Sequence, residues 1–148
     1  MLTTIEKVIF LQNVEVFVDV PTEDLAYLAA IAEEVEFKEG EDIFKEDEPS
    51  DALYLVLEGR VRLHRDEKEI IIAEAKDPFG TWALFDEEPR VVTATPLMNT
   101  RLLRIDREDF FDLLADHIQI TQGVFKTVVK RMRSLLDAVQ AGPVGSNT

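Results

Sequence analysis

The chain has 148 residues, 46% of them hydrophobic, and its 30 acidic and 16 basic residues give a formal net charge of −14 at pH 7. This length fits one globular domain, and the absence of cysteine excludes disulfides, thiolate catalysis and thiolate metal sites. The negative charge disfavours nucleic acid and anionic membranes, and no apolar run is long enough to cross a bilayer. We therefore expect a cytoplasmic protein that neither inserts into membranes nor binds nucleic acid through this chain.

The first 33 residues are expected to form helices. Apolar residues recur at helical spacing near the start, and a second helix is entered at Pro21 and Thr22 and runs over residues 24–32. The apolar positions of the first helix are Leu2, Ile5, Val8 and Ile9.

Residues 34–105 instead show the short apolar runs and turns that are typical of strands. The predicted strands lie around 35–37, 43–44, 52–57, 60–64, 70–72, 91–95 and 101–105. Helical spacing returns over 107–141, with a short helix from Arg107 and a longer one over 117–141, and a disordered tail is expected at 142–148. Helices on both sides of many short strands predict a mainly β domain over residues 1–141, either a closed β-roll or a sandwich.

Residues 79–90 carry the pattern of an anion site. Gly80 allows a close backbone turn, a short helix over 81–85 exposes its first N–H groups, and Arg90 adds a planar and permanently charged fork. In a chain of this charge, an anion must be captured locally rather than by a broad surface. The residues predicted to bind the ligand are Gly80, Thr81, Trp82, Ala83, Arg90, Val91 and Thr93.

This segment, which we call the cassette, resembles the phosphate-binding cassette of cyclic nucleotide-binding domains, whose usual form is Phe-Gly-Glu-x-Ala-Leu, a short loop, and Pro-Arg-x-Ala/Ser-Thr. The matching residues are Phe79, Gly80, Ala83, Leu84, Pro89, Arg90 and Thr93, and the residues Glu58, Gly59, Arg60 and Val61 also resemble the family. The resemblance implies a double-stranded β-helix, or jelly roll, between flanking helices. It also implies a non-enzymatic regulatory module that binds cyclic AMP or cyclic GMP, requires no further cofactor, and moves its C-terminal helices on binding.

Three positions depart from the family pattern. Thr81 stands where the family has a Glu that accepts a hydrogen bond from the ribose 2′-hydroxyl, and loss of that bond would weaken binding by about one to two orders of magnitude. Val91 replaces a small residue, and Trp82 replaces a smaller aliphatic one. The sequence therefore predicts weakened nucleotide binding in a reshaped pocket.

Two rival hypotheses remain open. The acidic residues 86–88 lie just before Arg90 and could neutralise it, which would leave an interaction or dimerisation domain without a ligand. The other rival is the sensory half of a transcription factor.

The last helix bears on both rivals, because its apolar residues follow the spacing of a coiled-coil seam. They could form a homodimer or pack on the helix's own roll. The seam residues are Phe125, Val128, Met132, Leu135 and Val139. The cations on this helix, Lys126, Lys130, Arg131 and Arg133, are explained by the helix dipole and a solvated face.

No catalytic or metal-binding residue is predicted. His64 and His117 are the two histidines, and neither has a second one at ligand spacing. Residues 47–58 resemble a calcium loop only in part, because Pro49 and Ala52 stand where an oxygen ligand and a glycine are needed. The nucleophile-elbow and Walker motifs are absent, so the sequence indicates no enzyme.

Overall fold

The computed structural model describes the backbone of residues 1–147 and the side chains of residues 1–140. The chain begins with a helical layer of α1 (Thr4–Leu11), a 3-10 helix (Glu15–Phe17) and α2 (Thr22–Ile31). A capping box fixes the start of α1, because the Thr3 hydroxyl accepts from the Glu6 N–H at 3.2 Å and the Glu6 carboxylate accepts from the Thr3 N–H at 3.0 Å.

The middle of the chain forms two antiparallel sheets, one with the order β1-β7-β2-β5 and the other with the order β4-β3-β6. The strands are β1 (Ala32–Phe37), β2 (Ala52–Glu58), β3 (Val61–Arg65), β4 (Lys68–Ala73), β5 (Pro78–Phe79), β6 (Thr93–Pro96) and β7 (Thr100–Asp106). The sheets are not closed into a barrel. The predicted fold class, mainly β with flanking helices in a jelly roll, is confirmed.

Strand β2 supplies the centre of both hydrophobic cores, since all of its residues except Glu58 are buried. Successive side chains point to opposite faces of a strand. Leu53 and Leu55 therefore pack with the helical layer, whereas Tyr54 and Val56 pack inside the roll. The helical core includes Phe17, Leu28, Phe110 and Ile120, and the roll core includes Phe44, Phe79, Ala94 and Leu102.

Two helices follow the roll, α3 (Arg107–Asp116) and α4 (Ile118–Asn147). The first half of α4 is fixed to the N-terminal layer through Asp19, which accepts hydrogen bonds from Thr127 Oγ1 at 2.8 Å and from Lys130 Nζ at 3.1 Å. Gly123 allows this close approach, because a Cβ at that position would lie 2.7 Å from the Asp19 carbonyl oxygen. These contacts hold the first half of α4 against the N-terminal layer.

The structure differs from the sequence predictions at several boundaries. β1 begins at Ala32, so the N-terminal helical layer ends before residue 33, and the 3-10 helix was not predicted. Phe44 forms only an isolated bridge with Ala94, and the strand predicted from Val91 begins at Thr93. The disorder predicted for 142–148 falls outside the fully described residues and stays a prediction. Within the described part of the chain, every helix is too short or too polar to span a membrane.

Candidate functional site

A cavity of about 370 Å³ lies where the cassette meets β2, and we call it the Arg90 cavity. Its volume is in the range of small-molecule sites, and most of its surface is apolar. It is lined by Phe44, Ser50, Gly80, Thr81, Trp82, Ala83, Asp86, Glu88, Pro89, Arg90, Val91 and Val92.

The backbone around Gly80 brings the cassette close to Arg90. Phe79 pairs with Tyr54 across β5 and β2, and Gly80 then turns the chain with a φ of 71° into the cassette helix, a 3-10 helix over Thr81–Leu84. A Cβ at Gly80 would lie 2.6 Å from Arg90 Nη1. Both the left-handed φ and the close approach therefore require glycine at this position.

The Arg90 guanidinium is buried and incompletely paired. The residue is 6% exposed, and its Nη2 donates to the Ala52 carbonyl oxygen at 2.8 Å and to Asp51 Oδ1 at 3.5 Å. Its Nε is buried and has no partner among the described residues. The guanidinium carbon lies 4.0 Å from the centre of the Phe44 ring, so a cation–π contact supports one face of the group.

Burial lowers the pKa of Arg90, and this effect outweighs the opposing influence of Tyr54 and Asp51. Arginine nevertheless stays charged, since its ordinary pKa is far above neutrality. Asp51 compensates this charge only weakly, because it sits at the limit of hydrogen-bonding distance and its side chain is 60% exposed. An underpaired buried cation with a free donor is an attractive site for an anion.

Six of the seven residues predicted to bind the ligand line this cavity, and Thr93 does not. The Thr93 hydroxyl accepts a hydrogen bond from the Glu46 N–H at 3.0 Å. Its assignment as a ligand contact stays a prediction. Trp82 and Val91 are 70% and 67% exposed, so both bulky residues lie at the mouth of the cavity rather than filling it.

The acidic loop over residues 86–88 does not neutralise Arg90. None of its carboxylates makes an ion pair with this arginine in the described structure, and the one carboxylate that does belongs to Asp51. The hypothesis that residues 86–88 hold the guanidinium is therefore wrong, although Asp86 and Glu88 do line the cavity. The loop adds negative charge near the anion site but makes no ion pair with Arg90.

Sequence reasoning did not identify Phe44, Ser50 or Asp51 as site residues. Phe44 belongs to the short strand predicted at 43–44, and Ser50 and Asp51 lie between two predicted strands. The residues that they contact in the site are 38 or more positions away in the chain. Ser50 Oγ, for example, donates to the Glu88 carbonyl oxygen at 2.6 Å. No local pattern marks such a contact.

A second cavity, of about 360 Å³, lies between the cassette and α4, and we call it the α4 cavity. Thr81 and Trp82 line both cavities, so these two residues separate the anion site from the last helix. The α4 cavity is largely apolar and is also lined by Glu15, Val16, Pro78, Thr127, Val128, Arg131, Met132 and Leu135. The seam residues of α4 beyond Val124 remain exposed in this chain.

Comparison with known proteins agrees with the geometry of this site. A family model described as the cyclic nucleotide-binding domain matches residues 34–117, which include the whole cassette. A CRP-like cAMP-activated global transcriptional regulator of Mycobacterium tuberculosis is 30% identical over 123 residues, which are 80% of this chain and 55% of that protein. The cAMP-dependent protein kinase regulatory subunit of Dictyostelium discoideum is 28% identical, over 68% of this chain and 33% of that protein.

A solved structure is also similar over most of the chain. The N-terminal domain of a transcriptional regulator from Streptomyces coelicolor A3(2) superposes with a TM-score of 0.82 and 30% identity, and the match covers 88% of this chain and 94% of that one. The chain spans about half the length of the mycobacterial relative and a third of the Dictyostelium one. The family match covers more than half of the chain and contains the anion site, and the chain belongs to the cyclic nucleotide-binding domain family.

Proposed function

We propose that this chain is a non-enzymatic regulatory module that binds cyclic AMP or cyclic GMP and transmits binding to its C-terminal helices. The observation that carries the proposal is the buried Arg90 guanidinium, whose Nε has no partner in the described part of the chain and whose Nη1 lies against Gly80. A cyclic phosphate seated between Arg90 and the backbone of the cassette would supply the missing acceptor. The names of two relatives specify cAMP, so cAMP is the first ligand to test.

The proposed coupling to the helices rests on the position of Thr81 and Trp82. Both residues contact the anion cavity on one side and the α4 cavity on the other, where Val128 and Met132 face them. A ligand that shifts the cassette helix would change the surface offered to α4. Binding then favours one of two positions of α4 by its differential affinity for them.

Calorimetric titration tests ligand binding directly. We expect heat of binding for cyclic AMP or cyclic GMP and none for the non-cyclic 5′-AMP, whose doubly charged phosphate would face Asp86 and Glu88. Because Thr81 replaces the acid that holds the ribose, we expect dissociation constants in the micromolar range or weaker. No heat for either cyclic nucleotide up to millimolar concentration contradicts the proposal.

A second function, dimerisation through α4, is supported by the exposed seam. The apolar side chains of Phe125, Val128, Met132, Leu135 and Val139 are all between 44% and 70% exposed. A contiguous apolar face of this kind is typical of a helix–helix interface. We expect a dimer in analytical ultracentrifugation that becomes monomeric with Leu135→Glu, whereas Phe111→Glu on the exposed face of α3 leaves the mass unchanged. A monomeric wild-type protein at high micromolar concentration contradicts the dimer.

Dimerisation is compatible with ligand binding and also with the rival hypothesis of a ligand-independent interaction domain. Titration and sedimentation together separate the two, because the rival predicts a dimer without any binding heat. The further role of sensory half of a transcription factor is suggested by the mycobacterial regulator, of which this chain matches 55%, and by the Streptomyces structure, which is the N-terminal domain of a transcriptional regulator.

A further inference from the structure

Arg107, the first residue of α3, makes an unusual set of contacts. Its Nη1 donates to the carbonyl oxygens of Ser50 at 2.8 Å, Ala83 at 3.0 Å and Asp86 at 2.8 Å. Its own backbone N–H donates to the Asp51 carbonyl oxygen at 2.8 Å. One residue at the start of a helix thus joins the end of the cassette helix to the segment that precedes β2.

An arginine is an unfavourable residue at the first position of a helix. A cation in the first turn of a helix is opposed by the helix dipole, and Glu108 and Asp109, which follow in the same turn of α3, are the charges that the dipole favours. The Arg107 guanidinium turns away from its own helix and reaches the last carbonyls of the cassette helix, where a positive group is favourable. Its energetic role therefore lies in the cassette rather than in α3.

The segment that Arg107 holds also holds the anion-binding arginine. Arg90 donates to the Ala52 carbonyl oxygen and contacts the Asp51 carboxylate, while Arg107 binds the carbonyl oxygens of Ser50 and Asp51. Residues 50–52 therefore lie between the two arginines. If the cassette shifts when an anion binds, its carbonyl oxygens must move relative to Arg107, the first residue of α3.

We infer that Arg107 is a positioning residue that fixes the cassette around the anion site and ties its movement to α3 and, through α3, to α4. The inference rests on the proposed binding of a cyclic nucleotide and adds the residue that transmits it. All three side-chain contacts come from a single nitrogen atom, Nη1, whose two hydrogens are shared among the three carbonyl oxygens. A lysine ammonium carries three N–H donors, so Arg107→Lys is expected to preserve much of the linkage, whereas Arg107→Met removes it.

The test measures affinity and helix displacement separately. The chain contains no cysteine, so Lys68→Cys on the exposed β4 and Ser134→Cys on α4 place one spin label on the roll and one on the helix. Calorimetry with cyclic AMP gives the affinity of each variant, and pulsed electron resonance gives the change in distance between the labels. Trp82 is the one tryptophan, so its emission reports the state of the cassette.

For Arg107→Met we expect roughly three- to tenfold weaker binding, since charge-assisted bonds to the cassette are lost. We also expect a shifted Trp82 emission and loss of the distance change that cyclic AMP produces in the wild type at saturation. Arg107→Lys should restore most of the distance change. Arg65→Met, which removes an exposed arginine on the hairpin, is the control and should leave all three measurements unchanged. Arg107→Gln, which keeps one donor group, replaces the methionine variant if that variant does not fold.

A wild-type distance change in saturated Arg107→Met overturns the inference, since the helix would then follow the ligand without this linkage. If the wild type binds no cyclic nucleotide, the proposed function fails, and hydrogen exchange of the ligand-free proteins judges Arg107 by itself. Faster exchange in both the cassette and the first turn of α3 of Arg107→Met supports its positioning role. Unchanged exchange in the cassette overturns it.

Discussion

Two cavities of this molecule, one lined by Arg90 and the other by Arg101, place their arginines in opposite surroundings. In the Arg90 cavity the guanidinium is buried against Phe44 and has one distant carboxylate. The second, which we call the Arg101 cavity, has a volume of about 450 Å³ and lies beside β1 and β7. There Arg101 is bound by Glu34 at 2.7 Å and Glu58 at 3.3 Å.

The pKa values of the two arginines move in opposite directions for this reason. Burial lowers the pKa of Arg90, whereas hydrogen bonds to Glu34 and then Glu58 raise that of Arg101. In this chain, whose net charge is −14, seven of the nine arginines lie within 4.0 Å of a carboxylate oxygen in the described structure. Arg90 stays available to an external anion because it packs on the apolar Phe44 ring and its one carboxylate partner, Asp51, lies at 3.5 Å.

Removal of each arginine is the most severe test of this difference. Loss of a buried charged partner costs about 2–5 kcal/mol, so Arg90→Ala should weaken cyclic nucleotide binding by roughly 30-fold to several thousandfold. Arg101→Ala should change the affinity by less than about twofold, because its charge is already neutralised by the chain. Calorimetry on both variants measures this, and equal losses would refute the distinction between the two cavities.

Restoring the acid of the family pattern at position 81 should raise the affinity of the Arg90 cavity for a cyclic nucleotide. If the Thr81 side chain stands at the ribose, Thr81→Glu adds a charged acceptor worth about 1.5–3 kcal/mol and should tighten binding by roughly 10- to 100-fold. Thr81→Gln is the matched control, since a neutral acceptor contributes less and should give at most about a tenfold gain. Unchanged affinity in Thr81→Glu would mean that the ribose does not lie at this position.

A comparison of Gly80 with Gly40 separates two effects of a substitution at Gly80, namely the contact of the new Cβ with Arg90 and the strain of a positive φ. Gly80 and Gly40 have φ values of 71° and 80°, but a Cβ at Gly40 has nothing within 4 Å, whereas one at Gly80 meets Arg90 Nη1. Each change to alanine should cost about 1–2 kcal/mol in the free energy of unfolding, measured with urea. Only Gly80→Ala should also weaken nucleotide binding, by about tenfold. Equal affinities of the two variants would show that Arg90 tolerates displacement.

The smallest expected effect concerns acid stability at Glu34, which pairs with Arg101. The pKa of Glu34 is lowered from its ordinary value of 4.5 by the Leu2 N–H and, after opposition from burial, by Arg101. A lowered pKa in the folded state stabilises the protein above pH 4.5 and loses this contribution as the pH falls through the folded value. The free energy of unfolding, measured with urea, should therefore fall more between pH 5 and pH 3 for the wild type than for Glu34→Gln. If the free energies of unfolding of the two proteins changed with pH in parallel, Glu34 would not contribute to acid stability in this way.

Much of the site could be predicted from the sequence because it is local. The spacing of Gly80, Ala83 and Arg90 predicted one anion site, and the structure gathers these residues around one cavity. The seam of α4 was likewise predicted from its periodicity, and its residues share one exposed face. Whether that face binds a second copy was left open by the spacing and remains a proposal.

The partners of Arg90 could not be predicted in the same way. The acidic residues 86–88 were the nearest carboxylates in the chain, yet Asp51, 39 positions away, makes the ion pair. Charge proximity along the sequence favoured the wrong acids, because the segment before β2 brings Asp51 to the guanidinium, whereas Asp86 and Glu88 line the cavity without an ion pair to Arg90 in the described structure.

Sequence patterns were enough to predict helices on both sides of a strand-rich region, the glycine of the cassette turn and the cation that faces it. Each of these follows from residue type and short-range spacing. The groups around Arg90, and the contacts of Arg107 with the carbonyl oxygens of Ser50, Ala83 and Asp86, became known from the three-dimensional fold. The physical reason is that these contacts depend on how β2, β5 and β7 lie side by side, and hydrophobic periodicity specifies a strand without specifying its neighbours.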